Sequence, residues 1–115
     1  MNTAASSIAL CRLDELTDPG SKGFEVNGRL MFAVRQGPQV YVYLNRCPHR
    51  GVPLEWVADQ FLDHSGRLIQ CASHGALFLP ESGECIAGPC SGNRLTPLTS
   101  HIEDGLVWLD GRDAG

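Results

Sequence analysis

The sequence predicts an all-β protein, and three observations support this fold class. Short runs of residues are rich in the β-branched and aromatic side chains that strands favour, and Gln39 to Leu44 is the clearest of them. The dipeptides Asn27-Gly28 and Asp104-Gly105 follow such runs, and both residues of each pair tolerate the positive φ of a tight hairpin turn. Finally, Gly, Pro, Asn and Asp separate the runs along the chain.

In chain order, the predicted strands lie at both ends of the sequence. They cover 8–13, 23–26, 29–35, 39–44, 95–103 and 106–109. From about residue 46 to 92 lies an irregular stretch rich in Pro and Gly. Within it, 53–62 carries apolar residues at helical spacing, whereas Ser65-Gly66 indicates a hairpin turn between two apolar runs. We predict one helical turn near 54–58, followed by that hairpin.

Length and charge restrict the class of protein. A chain of 115 residues leaves room for one domain, which we expect to span 1–115. Thirteen acidic residues against nine basic ones give a net charge of −4, which argues against nucleic acid as a partner. No basic region precedes an apolar run at the N-terminus, and no run approaches the length of a membrane span. We therefore expect a cytoplasmic protein with no membrane partner.

Its five cysteines are too few for a disulfide scaffold, and reduced thiols serve metal or redox chemistry.

Two Cys/His pairs carry the chemistry of the irregular stretch. Cys47 and His49 form the first pair, and Cys71 and His74 form the second. Between His49 and Cys71 lie 21 residues. Structural zinc sites usually place like ligands together, so a zinc-stabilised β-domain is the less favoured alternative. One Cys and one His in each pair suit a binuclear centre, in which one iron takes both thiolates and the other takes both imidazoles.

These residues make the sequence resemble the Rieske [2Fe–2S] family. The family signature is C-x-H followed by C-x-x-H-G, and Gly75 supplies its last position. The resemblance implies one [2Fe–2S] cluster bound by Cys47, His49, Cys71 and His74. It also implies a Rieske-like antiparallel β-sandwich or barrel, with a small cluster-binding subdomain at about 46–92 inserted between strands. The spacer is longer than is usual in small Rieske ferredoxins, so we predict that 52–63 is an insertion beside the cluster.

The resemblance also indicates a branch of the family. Val52 and Ser73 stand where the cytochrome bc branch has an extra disulfide, and Ala76 and Phe78 stand where it has hydroxyl donors. This implies the soluble ferredoxin branch, whose members pass one electron from a ferredoxin reductase to a terminal oxygenase. With all four positions of the cluster filled by protein, we expect an electron carrier rather than an enzyme, acting as a monomer. A redox or iron sensor, or an accessory reductase subunit, would use the same cluster.

Several other residues keep more than one interpretation. Cys85 and Cys90 bracket Gly88-Pro89, which resembles the family's proline loop, and they are packed residues, a disulfide or further ligands. Trp56 packs within the insertion or contacts a redox partner. Acidic side chains near the predicted site are solvated or steer a basic partner, namely Glu55, Asp59 and Glu84. We predict a core position for Cys11, and surface or packed positions rather than ligand roles for His64 and His101.

Overall fold

Ten strands and one 3-10 helix form the part of the chain that the computed structural model describes, which comprises residues 7–48, 53–55, 58–72, 75–89 and 92–111. The helix spans Leu13–Glu15. The strands are β1 Ile8–Arg12, β2 Gly20–Val26, β3 Arg29–Gln36, β4 Gln39–Leu44, β5 Ile69–Gln70, β6 Leu77–Phe78, β7 Cys85–Ala87, β8 Pro97–Leu98, β9 Ser100–Glu103 and β10 Leu106–Leu109.

The strands form three antiparallel sheets. The first has the order β1-β10-β9, the second β2-β3-β4-β8 and the third β5-β6-β7. The third sheet lies in sequence between β4 and β8, within the stretch of about 46–92 that we predicted to be largely irregular apart from one helical turn and one hairpin. Its strands have two or three residues each, too few to show an alternating pattern. No helix in the described residues is long and apolar enough to cross a membrane.

Strand β3 separates the two cores that the described residues form. Side chains alternate between the faces of a strand, and four consecutive residues of β3 are fully buried. Met31 and Ala33 pack with Val107 and Leu109 in what we call the sandwich core. Phe32 and Val34 face the other way and pack into a second set of buried residues, which we call the site core. The site core contains Phe32, Val34, Tyr43, Cys47, Leu54, Phe61, Ile69, Cys71, Ala76, Phe78, Cys85 and Leu95.

Both predicted two-residue hairpin turns are confirmed. Asn27 and Gly28 have φ values of 51° and 81°, and they join β2 to β3. Asp104 and Gly105 have φ values of 54° and 74°, and they join β9 to β10. Positive φ at both central residues is what a type I′ turn requires, and its twist matches that of the flanking strands.

The hairpin that we predicted around Ser65-Gly66 is present. Leu62 pairs with Ile69, the Asp63 amide donates to the Leu68 carbonyl at 2.9 Å, and Gly66 takes a φ of 75° in the turn. Residues 53–55 and 58 are not assigned to a helix, and the helical turn predicted near 54–58 stays a prediction. Residues 56 and 57 lie outside the described part of the chain.

Two predicted strand boundaries are wrong. The segment predicted as one strand over 95–103 divides at Thr99, because β8 pairs with β4 whereas β9 pairs with β10. The chain passes there from one sheet to another. Strand β2 begins at Gly20 rather than Gly23, since Gly20 pairs with Arg35 although its residue type has little preference for strands.

Candidate metal centre

The first cysteine of the pattern follows the end of β4. The Asn45 amide still donates to the Leu30 carbonyl at 3.0 Å, so the chain remains attached to β3 for one residue beyond the strand. Cys47 comes two residues later and is fully buried in the site core. Its partner in the first pair, His49, lies outside the described residues.

The second cysteine begins the connection between β5 and β6. The Cys71 amide donates to the Ala76 carbonyl at 2.9 Å, and the Gly75 amide donates to the Cys71 carbonyl at 2.8 Å. These two bonds close a tight loop, in which Gly75 has a φ of 69° that favours glycine. Cys71 is fully buried in the same core as Cys47. His74 lies outside the described residues.

Leu54 connects the two cysteine loops. Its amide donates to Oδ1 of Asn45 at 2.8 Å, and its carbonyl accepts from the Ala72 amide at 2.8 Å. Nδ2 of Asn45 donates to Oε1 of Glu55 at 2.8 Å. Sequence reasoning missed Asn45, because an Asn after a strand looks like any loop residue and nothing in the pattern relates it to Leu54.

Gly88 packs directly against the second loop. A Cβ atom at Gly88 would lie 2.7 Å from Cα and 3.1 Å from Cβ of Ala76, and Gly88 has a φ of 101°. Only glycine therefore fits this approach. Cys85 is buried nearby in the site core, and its thiol donates to the Ala87 carbonyl at 3.2 Å. Cys90 lies outside the described residues, so the interpretations of the Cys85 and Cys90 pair stay predictions.

Comparison with known proteins settles the family. The model of the Rieske [2Fe-2S] domain family matches residues 6–102. The chain belongs to the Rieske [2Fe–2S] domain family. The resemblance read from the cysteine and histidine pattern is thereby confirmed, and a Rieske-type [2Fe–2S] cluster is the cofactor of this Rieske domain.

The chain is also similar to an oxygenase component and to ferredoxin structures. It is 38% identical, over 90 residues, to "Chloroacetanilide N-alkylformylase, oxygenase component" of Rhizorhabdus wittichii (strain DC-6 / KACC 16600), covering 77% of this chain and 23% of that protein. The chain thus spans about a quarter of that relative's length. The ferredoxin of carbazole 1,9a-dioxygenase from Nocardioides aromaticivorans IC177 matches with a TM-score of 0.75 and 22% identity, covering 90% of this chain and 96% of that one.

A third match concerns an assembled system. A chain from the complex of reduced oxygenase and oxidized ferredoxin in carbazole 1,9a-dioxygenase matches with a TM-score of 0.73 and 21% identity. The match covers 91% of this chain and 93% of that one. At identities this low, the two matches show similarity of fold. The predicted Rieske-like antiparallel fold is confirmed.

The donor chemistry of the described residues fits the cofactor. An iron–sulfur cluster needs thiolate ligands, and Cys47 and Cys71 bring two sulfur atoms into one core that is closed to water. They reach this core from separate loops, which Leu54 joins, so both thiols have a fixed backbone behind them. The ligand set of Cys47, His49, Cys71 and His74 as a whole stays a prediction.

The predicted insertion at 52–63 is attached to β2 in its described part. Oδ1 of Asp59 accepts from the Gly23 amide at 2.8 Å, and the Ser21 hydroxyl donates to the Asp59 carbonyl at 2.7 Å. Phe61 is fully buried and stacks on Phe32, with ring centroids 4.4 Å apart and planes 5° from parallel. Asp59 therefore has an internal hydrogen-bonding role.

The same holds for Glu55, whose carboxylate accepts from Asn45. Glu84 remains exposed. Trp56 lies outside the described residues, so its packing or docking role stays a prediction. Cys11 is buried in the sandwich core, and His64 and His101 are exposed, as we predicted.

Tyr43 fixes the turn beyond β6. Its hydroxyl donates to the Pro80 carbonyl at 2.5 Å, and its ring packs so closely that a Cβ at Gly83 would lie 2.8 Å from Cε1. Burial raises the pKa of Tyr43 from its ordinary value of 10 to about 12, and the nearby charge of Glu81 adds to this effect. The turn leads into β7 and therefore to Gly88.

Proposed function

We propose that this Rieske domain is a one-electron carrier, which receives an electron from a ferredoxin reductase and passes it to a terminal oxygenase. In this proposal 1–115 is a single domain that acts as a monomer in the cytoplasm, and its cluster-binding subdomain spans about 46–92. When bound, the [2Fe–2S] cluster supplies a reversible one-electron couple.

The observation that carries this proposal is the match to a ferredoxin over 96% of the ferredoxin's length. The similarity therefore extends beyond the cluster loops to the sheets that carry them. The related complex of a reduced oxygenase and an oxidized ferredoxin indicates the kind of partner.

We propose that Cys47 and Cys71 bind one iron and that His49 and His74 bind the other. Neutral imidazoles in place of two thiolates leave the centre less negative, so that it accepts an electron more easily than an all-cysteine centre does. Because both thiols are buried, they would hold their iron away from water. The histidines would occupy the outer side, where a partner protein approaches.

A second function is favoured by one observation. The 38% identity to an oxygenase component, of which this chain spans 23%, suggests a Rieske domain that delivers electrons within a larger oxygenase. Such a domain accepts an electron from a reduced ferredoxin but does not relay it to a separate terminal oxygenase.

Catalytic amounts of the chain distinguish the two functions. The reconstituted protein is mixed with NADH, a ferredoxin reductase and the terminal oxygenase of carbazole 1,9a-dioxygenase, and product is measured over many turnovers per chain. A carrier supports turnover in proportion to its concentration, and the Cys71→Ser variant serves as a control without a complete ligand set. Reduction of the chain by a reduced ferredoxin, without any onward transfer to the terminal oxygenase, would instead favour the oxygenase-domain function.

A coulometric titration checks the electron count independently of the partner. One electron per chain, with two irons and two sulfides by metal analysis, is the expected result. A colourless protein containing zinc would contradict the proposal altogether. A chain that exchanges electrons with neither protein, although its cluster is intact, would favour the sensor interpretation.

A further inference from the structure

Asn45 stands out as the one buried residue with an amide or charged side chain in the described part of the chain, with 7% of its surface exposed. It lies one residue beyond β4 and two residues before Cys47. A buried amide requires hydrogen-bond partners at both ends, because an unpaired polar group in the interior is costly. Both ends of this one are satisfied, by the Leu54 amide and by Glu55.

The bond to Leu54 reaches both cysteine loops. Oδ1 of Asn45 accepts from the Leu54 amide, and the Leu54 carbonyl accepts from the amide of Ala72, each at 2.8 Å. Ala72 follows Cys71 directly in the chain. Three residues therefore form a continuous hydrogen-bonded connection from the approach to Cys47 to the position after Cys71. The Leu54 side chain is itself fully buried in the site core, so this connection has little freedom to move.

Glu55 determines which way the Asn45 amide points. A carboxylate oxygen that accepts a bond requires a donor, and Nδ2 supplies it at 2.8 Å. With Nδ2 held there, Oδ1 faces the Leu54 amide, which is a donor and needs an acceptor. The reversed amide would set a donor against the Leu54 amide and leave Glu55 facing an oxygen. Glu55 thus determines which end of the Asn45 amide donates a hydrogen bond and which end accepts one.

We infer that Asn45, oriented by Glu55, is a positioning residue that holds the two cysteine loops in a fixed relation for cluster binding. The inference rests on the proposed ligand role of Cys47 and Cys71. It gives the described part of the predicted insertion a function, since Leu54 and Glu55 supply the middle of the connection. The two thiols then meet the iron with their backbones already in place, as preorganised ligand sites require.

The test compares four variants of the complete chain with the parent protein. Asn45→Asp keeps the acceptor for Leu54 but sets two carboxylates against each other. Glu55→Met removes the acceptor without changing Asn45. Glu55→Gln keeps an oxygen acceptor for Nδ2. The double variant Asn45→Asp with Glu55→Gln exchanges donor and acceptor, so both hydrogen bonds can form again, and its formal net charge equals that of the parent.

The readouts are the rate of iron loss to a chelator and the EPR g values of the reduced protein. We expect iron loss to become about tenfold faster in Asn45→Asp and in Glu55→Met, because a buried hydrogen bond of the connection is lost or left unpaired. The g values should shift or broaden in the same variants. Glu55→Gln should stay within about twofold of the parent rate, and the double variant should recover most of the loss that Asn45→Asp causes.

A control in the other core separates positioning from general stability. Val107→Ala creates a cavity in the sandwich core, away from both cysteine loops, and lowers the thermal midpoint of unfolding. If it accelerates iron loss as much as Asn45→Asp at a matched decrease in thermal midpoint, with the same g values, the inference is wrong. Equally, no recovery in the double variant would overturn the orienting role of Glu55.

Failure of this inference can be told apart from failure of the proposed function. If the parent chain holds two irons and two sulfides and all variants match it in both readouts, Asn45 has no positioning role but the carrier proposal stands. If the parent chain assembles no iron–sulfur cluster, the proposed function itself fails. Should Asn45→Asp not fold, Glu55→Met decides the question, because Glu55 is only partly buried and lies outside the sheets.

Discussion

Replacing Gly88 with alanine should weaken the site more than the same change at Gly92, although both positions have positive φ. Gly88 has a φ of 101° and Gly92 a φ of 94°, so each alanine meets a similar backbone penalty of about 1–2 kcal/mol. At Gly92 no atom of the described residues lies within 4 Å of the new Cβ. At Gly88 the new Cβ would lie 2.7 Å from Cα of Ala76, and a backbone atom can shift only at a cost, unlike the end of a flexible side chain.

The close approach should add about 1–3 kcal/mol for overpacking at Gly88 alone. We expect Gly88→Ala to lower the free energy of unfolding by about 2–5 kcal/mol and Gly92→Ala by about 1–2 kcal/mol. Because the Ala76 carbonyl accepts from the Cys71 amide, a shift of Ala76 also disturbs the second cysteine loop. Cluster occupancy should therefore fall in Gly88→Ala and stay near the parent value in Gly92→Ala.

Urea unfolding, followed by the visible circular dichroism of the cluster and by far-ultraviolet circular dichroism, measures both effects. Metal analysis of each purified variant gives the occupancy. Equal destabilisation by the two substitutions, with equal iron content, would refute the steric argument. It would mean that the contact between Gly88 and Ala76 relaxes without cost.

Three further predictions concern the cofactor and pH. The Cys71→Ser variant should retain no stable [2Fe–2S] cluster, and two irons with two sulfides per chain in metal analysis would contradict the ligand assignment. The midpoint potential should lie nearer about −150 mV than +300 mV, since neither Ala76 nor Phe78 offers a hydroxyl, and Ala76→Ser should raise it in voltammetry. Because the pKa of Tyr43 is raised to about 12, its contribution to stability is fully present below about pH 10 and is lost as pH rises to 12. The shift corresponds to about 2.7 kcal/mol. Tyr43→Phe should cost about 1–2 kcal/mol at pH 7, through the lost bond to Pro80, but should show no such alkaline loss in denaturant titrations. A parallel alkaline decline in both proteins would assign the effect to other groups.

The parts of the fold that sequence could predict are those with local signals. Asn27-Gly28 and Asp104-Gly105 specify their turns through residues that tolerate positive φ, and β4 has a run of strand-forming residues. The division at Thr99 has no such signal, because it depends on which sheet offers a free edge to each half of the segment. The two-residue strands β5 and β6 exist because they pair with each other across the second cysteine loop.

The candidate site divides in the same way. The spacing of Cys47 and Cys71 with their histidines predicts the family and its cofactor, because ligand chemistry leaves a pattern in the sequence. The residues that position the ligand loops leave no such pattern in the sequence. Asn45 and Glu55 are ten residues apart and meet only because the chain returns past the end of β4. The sequence does not show why position 88 requires glycine, because the reason is the close contact with Ala76 in the folded structure.

The burial of β3 on both faces has a consequence for how the protein unfolds. Phe32 and Met31 are neighbours in the chain, yet they belong to different cores, so neither core can lose its order while the strand between them stays native. The two halves should therefore melt in one cooperative transition rather than as separate units. Trp108 lies on β10, in the sheet across the sandwich core from the metal centre. Its fluorescence should accordingly change in the same transition as the unfolding of the site core, which its own ring does not line.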